Sequence, residues 1–243
     1  MTERIAETSP RFKARMAGVF YFLTFLTGVV AVPSFRLVVD SDAAATASNI
    51  LAHEALFRLG FAALLINVAV YLAVTLLFYE LFKPVNRSLS LLAAFFSLVG
   101  CAIQAVSSSF FLAPLVVLGG AQSLSAFKVE QLQAQALMFF KLYAQAYNIG
   151  LVFFGFYCML IGYLILRSTF LPRILGVLMA LGGLAWLTFL SPPLANYLSP
   201  YNLGVGAFGE GSLLLWLLVM GVNAQRWKEQ ASAPGEYRTQ RAM

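Results

Sequence analysis

Apolar residues do not alternate with polar ones along this chain; they come in blocks. Six stretches, about 16 to 35, 59 to 80, 90 to 117, 144 to 166, 174 to 192 and 206 to 224, are nearly continuous runs of Leu, Val, Ala, Phe, Ile and Gly. About 20 helical residues cross a hydrocarbon core roughly 30 Å thick, so each stretch predicts a membrane-spanning helix. A helix pairs its own backbone groups internally, as lipid requires.

The segments between the blocks are of two kinds. FKPVNRS and RSTFLPR are short and basic, with Pro84 and Pro172 marking helix boundaries. Residues 40 to 59, DSDAAATASNILAHEALFRL, predict an alanine-rich helix begun by an Asp or Ser cap. Residues 122 to 143 mix Lys128, Glu130 and Gln131 with Leu132, Phe139 and Phe140, the composition of an interfacial amphipathic helix or lid. The pattern predicts an all-α, polytopic membrane protein. Residues 1–15 form a basic arm, 16–227 a six-helix transmembrane bundle with one or two extracytoplasmic interfacial helices, and 228–243 a disordered polar tail.

Composition strengthens this reading. The 243 residues are 60% hydrophobic and 11% charged, well below the roughly 25% charged content of soluble domains. The net charge of +6 points away from nucleic acid once its distribution is considered. Twelve of the sixteen Lys and Arg residues fall in the N-terminal arm, the two short turns and the tail, and four (Arg36, Arg58, Lys128, Lys141) fall on the other side. Basic residues are retained on the cytoplasmic side, so a multi-pass bacterial inner-membrane protein with both termini cytoplasmic is expected. Membrane lipids are the expected partners. Tyr21, Tyr79, Tyr163, Tyr197, Tyr201 and Trp227 read as interfacial belt residues.

Polar groups inside the apolar blocks are the candidate chemistry, because an ionisable side chain at the bilayer centre costs about 2.5 to 3.5 kcal/mol on insertion scales. Glu210 is the clearest, about four residues below the outer end of the sixth block. At that level lie Arg36 and Arg58 at block ends, Gln104 and the serine run containing Ser108, and Asn148, with His53, Glu54 and Asp40 just outside. These residues predict a polar cluster in the outer half of the bundle. Glu54 with Arg58 and Arg36 with Asp40 stand at i, i+4, so local ion pairing is the competing reading. Serines in such helices back-bond to carbonyls, and Asn67 reads as a helix-to-helix link.

The segments LFKPVNRSLSLLAAF (81 to 95), GYLILRSTFLPRILGVLMALGGL (162 to 184) and GEGSLLLWLLVMGV (209 to 222) resemble the bacterial domain of unknown function 4386 family. The resemblance runs from ARMAG at 14 to 18 through Gly221. It implies an integral membrane protein, maps the family's acidic position onto Glu210, and carries no mechanism.

Catalytic motifs do not emerge. The single histidine, His53, and two cysteines, Cys101 and Cys158, give no metal-ligand set, no catalytic residues and no cofactor site. The GxGxxGxG run at 204 to 211 opens a membrane helix and lacks the strand a dinucleotide fingerprint needs. Three functions follow as expectations. The first is a non-enzymatic protein that binds or moves a small or amphiphilic ligand through an outward-facing polar cavity. The second is a membrane-embedded enzyme on a lipid or isoprenoid headgroup, with Glu210 or His53 as base. The third is a structural or accessory subunit, with a homo-oligomer formed through small-residue faces such as Gly176, Ala180 and Gly183.

Overall fold

The computed structural model describes residues 9–119 and 126–232. Among the described residues every regular element is helical: α1 (Pro10–Phe35), α2 (Ala43–Ala52), α3 (Glu54–Phe82), α4 (Arg87–Leu118), α5 (Val129–Arg167), α6 (Arg173–Leu187), α7 (Pro192–Leu198), α8 (Tyr201–Val219) and α9 (Ala224–Ser232). A 3-10 turn, Thr188–Leu190, prolongs α6. Six of these are long and apolar enough to cross a membrane: α1, α3, α4, α5, α6 with its extension, and α8.

The six spanning helices form a ring in chain order. Each packs on the next, and α8 returns to close against α1. Their outward faces carry exposed apolar side chains such as Phe22, Ile66, Leu76, Val106 and Leu215. In lipid such residues gain nothing by turning inward, so packing and hydrogen bonds decide which face looks in. The interior face is aromatic. Tyr21, Tyr71, Phe78, Phe154 and Tyr157 meet there mostly edge to face, with Tyr21 and Tyr71 ring centres 5.7 Å apart at 86° and Phe78 stacked on Tyr157. A second cluster, built on Ile50 of α2, Phe57, Phe111 and Tyr143, closes the end of the bundle that carries α2.

The basic segments gather at one end. Lys13 pairs with Glu80 at 3.3 Å, Arg15 donates to the Val219 carbonyl at 3.3 Å, and the Trp227 indole donates to the Leu81 carbonyl at 2.8 Å. Gln230 reaches the Arg167 carbonyl at 3.3 Å, which ties the last helix to the α5–α6 turn. Helix starts follow local chemistry: Asp42 caps α2 by accepting from the Ala45 N–H at 2.9 Å, and Asn86 caps α4 by accepting from Leu89 at 3.0 Å.

Three elements differ from the sequence reading. The amphipathic stretch before residue 144 is not a separate interfacial helix from Val129 onward; it is the first part of α5, whose 39 residues make about 58 Å of continuous helix. No Gly or Pro interrupts residues 129 to 149, and the Ala, Gln and Leu there are good helix formers. Residues 122 to 125 of that stretch lie outside the described residues. Helix α9 places residues 228 to 232 of the expected tail in regular structure; residues 233–243 lie outside the described residues.

The last span is also shifted. It runs from Tyr201 to Val219 rather than from 206 to 224. It starts early because the Asn202 amide is satisfied internally, donating to Thr188 Oγ1 at 3.1 Å and to the Ala195 carbonyl at 3.3 Å. It stops at Val219 because Gly221 takes a left-handed φ of 69° and reverses the chain, its N–H donating to the Trp216 carbonyl at 3.1 Å.

Candidate functional site

With α8 so placed, Glu210 sits nine residues from either end of its helix, about 14 Å of rise from each. The carboxyl is therefore at the centre of the span, not four residues below the outer surface. It is 8% exposed. Its Oε1 accepts from the Trp186 indole of α6 at 2.7 Å. Its Oε2 accepts from the Tyr21 hydroxyl of α1, and from the Tyr71 hydroxyl of α3 at 3.3 Å. No Lys or Arg among the described residues pairs with it.

One acid thus gathers neutral donors from three other helices. Interhelical hydrogen bonds of this kind average about 0.6 kcal/mol each, and in a membrane the absence of a partner would leave a polar group in oil. Trp186 reaches the carboxyl because α8 presents glycine beneath it. A Cβ on Gly206 would stand 2.4 Å from Trp186 Cζ2, and one on Gly209 would stand 2.5 Å from the Leu178 carbonyl oxygen. In the same way Gly176 and Gly183 let α6 lie directly on α5. The small-residue faces are thereby occupied within the chain. Beside the cage, the hydroxyl of Tyr157 is buried and has no hydrogen-bond partner among the described residues.

On the side of this cage away from the basic segments, α1, α3, α4 and α5 line a cavity of about 330 Å³. Its polar lining is Asn67, Gln104, Ser108, Tyr143, Tyr147 and Asn148; its apolar lining includes Gly28, Ala31, Phe35, Leu64 and Phe140. Asn67 also bridges α3 to α1, donating to the Thr24 carbonyl at 2.6 Å and to Thr27 Oγ1 at 2.9 Å. Ser107 and Ser108 back-bond to the Gln104 carbonyl at 2.8 and 2.9 Å. Cavity and cage share helix faces: Tyr21, Thr24, Gly28 and Ala31 recur at helical spacing on α1, and Asn67 and Tyr71 stand one turn apart on α3. Tyr147 packs against both aromatic clusters.

The residues singled out from the sequence therefore fall into three places. Gln104, Ser108 and Asn148 line the cavity, and Glu210 lies deeper, in the cage. Arg36, His53, Glu54 and Arg58 are exposed at the end opposite the basic segments, outside both. Glu54 and Arg58 form an ion pair at 2.7 Å, with side chains 47% and 60% exposed. Arg36 makes no ion pair with Asp40 among the described residues, because α1 ends at Phe35 and the i, i+4 geometry ends with it. Tyr21, Tyr71 and Trp186 were not foreseen as partners of the acid. Tyr21 is fully buried at mid-span and is not a belt residue, whereas Tyr197 and Tyr201 are 84% and 77% exposed, at the end opposite the basic segments. The available signal was the shared spacing of Tyr21 with Thr24 and Gly28. Cys101 and Cys158 are buried free thiols.

A ring of six apolar helices around a central acid defines a multi-pass helical membrane protein. The chain belongs to the family described as Domain of unknown function (DUF4386), which matches residues 16–221. An archaeal relative from Archaeoglobus fulgidus, titled "Uncharacterized protein", is 28% identical over 174 residues, covering 70% of this chain and 86% of its own length. No solved structure matches the chain.

Proposed function

We propose that the protein binds a small amphiphilic molecule in the outer cavity, as a non-enzymatic carrier or receptor in the bacterial inner membrane. The observation that carries this reading is the cavity's mixed lining. Phe35, Leu64 and Phe140 offer apolar surface, while Asn67, Gln104, Ser108 and Asn148 offer amides and a hydroxyl. Its volume of about 330 Å³ is at the lower end of small-molecule sites, which span roughly 300 to 1,000 Å³. The lining is uncharged, which favours a neutral polar group such as a hydroxyl, ester or amide over an anion. With the basic end cytoplasmic, the cavity opens in the outer leaflet.

Glu210 gives the cavity a second component. The two helices that carry Tyr21 and Tyr71 to the carboxyl also form two of the cavity walls. A ligand that displaces α1 relative to α3 strains those bonds, so occupancy above and hydrogen bonding below are linked through rigid helices. The enzymatic alternative is weaker, since neither candidate base lines the cavity: His53 is exposed outside it and Glu210 is enclosed by its three donors.

The test fills the cavity. A Cβ on Gly28 would meet nothing within 4 Å, so Gly28→Phe projects a ring into the cavity without striking backbone. Native mass spectrometry of purified wild type should show an adduct absent from the bulk detergent, lost in Gly28→Phe and weakened in Gln104→Leu. An adduct retained in full by a folded Gly28→Phe protein would exclude this cavity as the site.

A further inference from the structure

At the basic end, away from the outer cavity, Ser9, Lys13, Lys83, Trp227, Lys228 and Ser232 line a cleft of about 620 Å³ between the ends of α1, α3 and α9. We propose that this cleft binds the phosphate group of an anionic phospholipid.

Among the described residues three lysines line the cleft, and one carboxylate, Glu80, stands bonded to two of them. Glu80 accepts from Lys83 at 2.8 Å and from Lys13 at 3.3 Å, and Lys228 has no ion-pair partner among the described residues. Among the described residues the balance is two positive charges in surplus, confined between helix ends where like charges repel unless an anion is present. Helix α9 brings the third lysine there and is held against the bundle. The Trp227 indole donates to the Leu81 carbonyl at 2.8 Å, and Gln230 accepts from the Thr169 N–H at 3.0 Å. The first turn of α1 adds to the positive field, having no acidic residue and no capping side chain.

Depth selects a lipid over a dissolved anion. The cleft lies where α1 begins and α3 ends, the level at which spanning helices meet headgroups. Trp227 is half-buried there, the position aromatic side chains take at the interface. Beside Lys13, Phe12 is 55% exposed and Val19 and Phe22 continue an apolar strip along α1, against which an acyl chain can lie. A phosphate between Lys13, Lys83 and Lys228 with its chains along α1 satisfies both surfaces.

The full-length protein in detergent, titrated with phosphatidylglycerol, phosphatidylcholine or inorganic phosphate, provides the test, with lipid adducts read by native mass spectrometry. Phosphatidylglycerol should be retained in preference to phosphatidylcholine, and the preference should fall roughly fivefold for each lysine removed, since one cation near an anionic surface contributes about that factor. Lys228→Gln is the cleanest variant because it breaks no ion pair. Lys13→Gln also exposes Glu80 and serves as the second variant. Lys128→Gln, at the opposite end, should leave the preference unchanged. Equal loss in Lys128→Gln would show bulk charge attraction and overturn the site, as would unchanged selectivity in Lys228→Gln. Competition by inorganic phosphate at concentrations matching the lipid would overturn the lipid assignment in favour of a soluble anion.

Discussion

Replacing Glu210 by leucine removes the one acceptor for three interior donors while keeping the side chain's approximate size. The hydroxyls of Tyr21 and Tyr71 and the indole of Trp186 would be left facing hydrocarbon, with no polar atom of residue 210 within reach. Interhelical hydrogen bonds in membrane proteins average about 0.6 kcal/mol each, which alone would give ~2 kcal/mol for three. A buried donor left unpaired costs about 1 to 3 kcal/mol, which raises the expectation to roughly 3 kcal/mol or more. Reversible unfolding in mixed micelles, followed by tryptophan fluorescence, measures the difference. The decisive comparison is non-additive. Glu210→Leu combined with Tyr21→Phe and Tyr71→Phe deletes two of the stranded donors, so the triple variant should be more stable than Glu210→Leu alone. Glu210→Gln keeps one acceptor and lets the hydroxyls turn to accept from its amide, so a loss of about 1 kcal/mol is expected. A Glu210→Leu protein within about 0.5 kcal/mol of wild type, or a triple variant whose cost is the sum of its parts, would refute the claim that this carboxyl holds the ring together.

Two further outcomes test the packing and the orientation. Gly209→Ala forces α8 away from the Leu178 carbonyl and should cost about 1 to 3 kcal/mol, with a change in Trp186 fluorescence as its bond to Glu210 lengthens; an unaltered melting curve would contradict the close approach. Because Cys101 and Cys158 are buried, single cysteines introduced at Tyr197 and Gln225 should report topology: a membrane-impermeant maleimide should label Tyr197→Cys in intact cells and Gln225→Cys only after lysis, and the reverse pattern would invert the assignment.

Much of the architecture was readable in the sequence, since lipid imposes its requirements locally. Length of apolar run, placement of Pro84 and Pro172, and the clustering of twelve cations in four segments are all properties of the chain taken a few residues at a time. They determine the number of spans, the alternation of direction and the convergence of the basic segments on one end. The lone acid in the last span was equally visible, as was the link made by Asn67, which does join α3 to α1.

What surrounds that acid was decided only by tertiary structure. A five-residue shift in where α8 begins moves Glu210 by about 7.5 Å, from near the outer surface to mid-span, and the shift depends on Asn202 finding partners on the 3-10 turn after α6 and on α7. Arginines at span ends looked like natural partners, but they remain at the surface, where charge is cheaply solvated, and neutral donors with long rigid rings reach the interior instead. A buried tyrosine and an interfacial one have the same letter. Which of them meets the carboxyl is set by the rotation and stagger of each helix, fixed in turn by glycine contacts and aromatic packing between segments far apart in the chain.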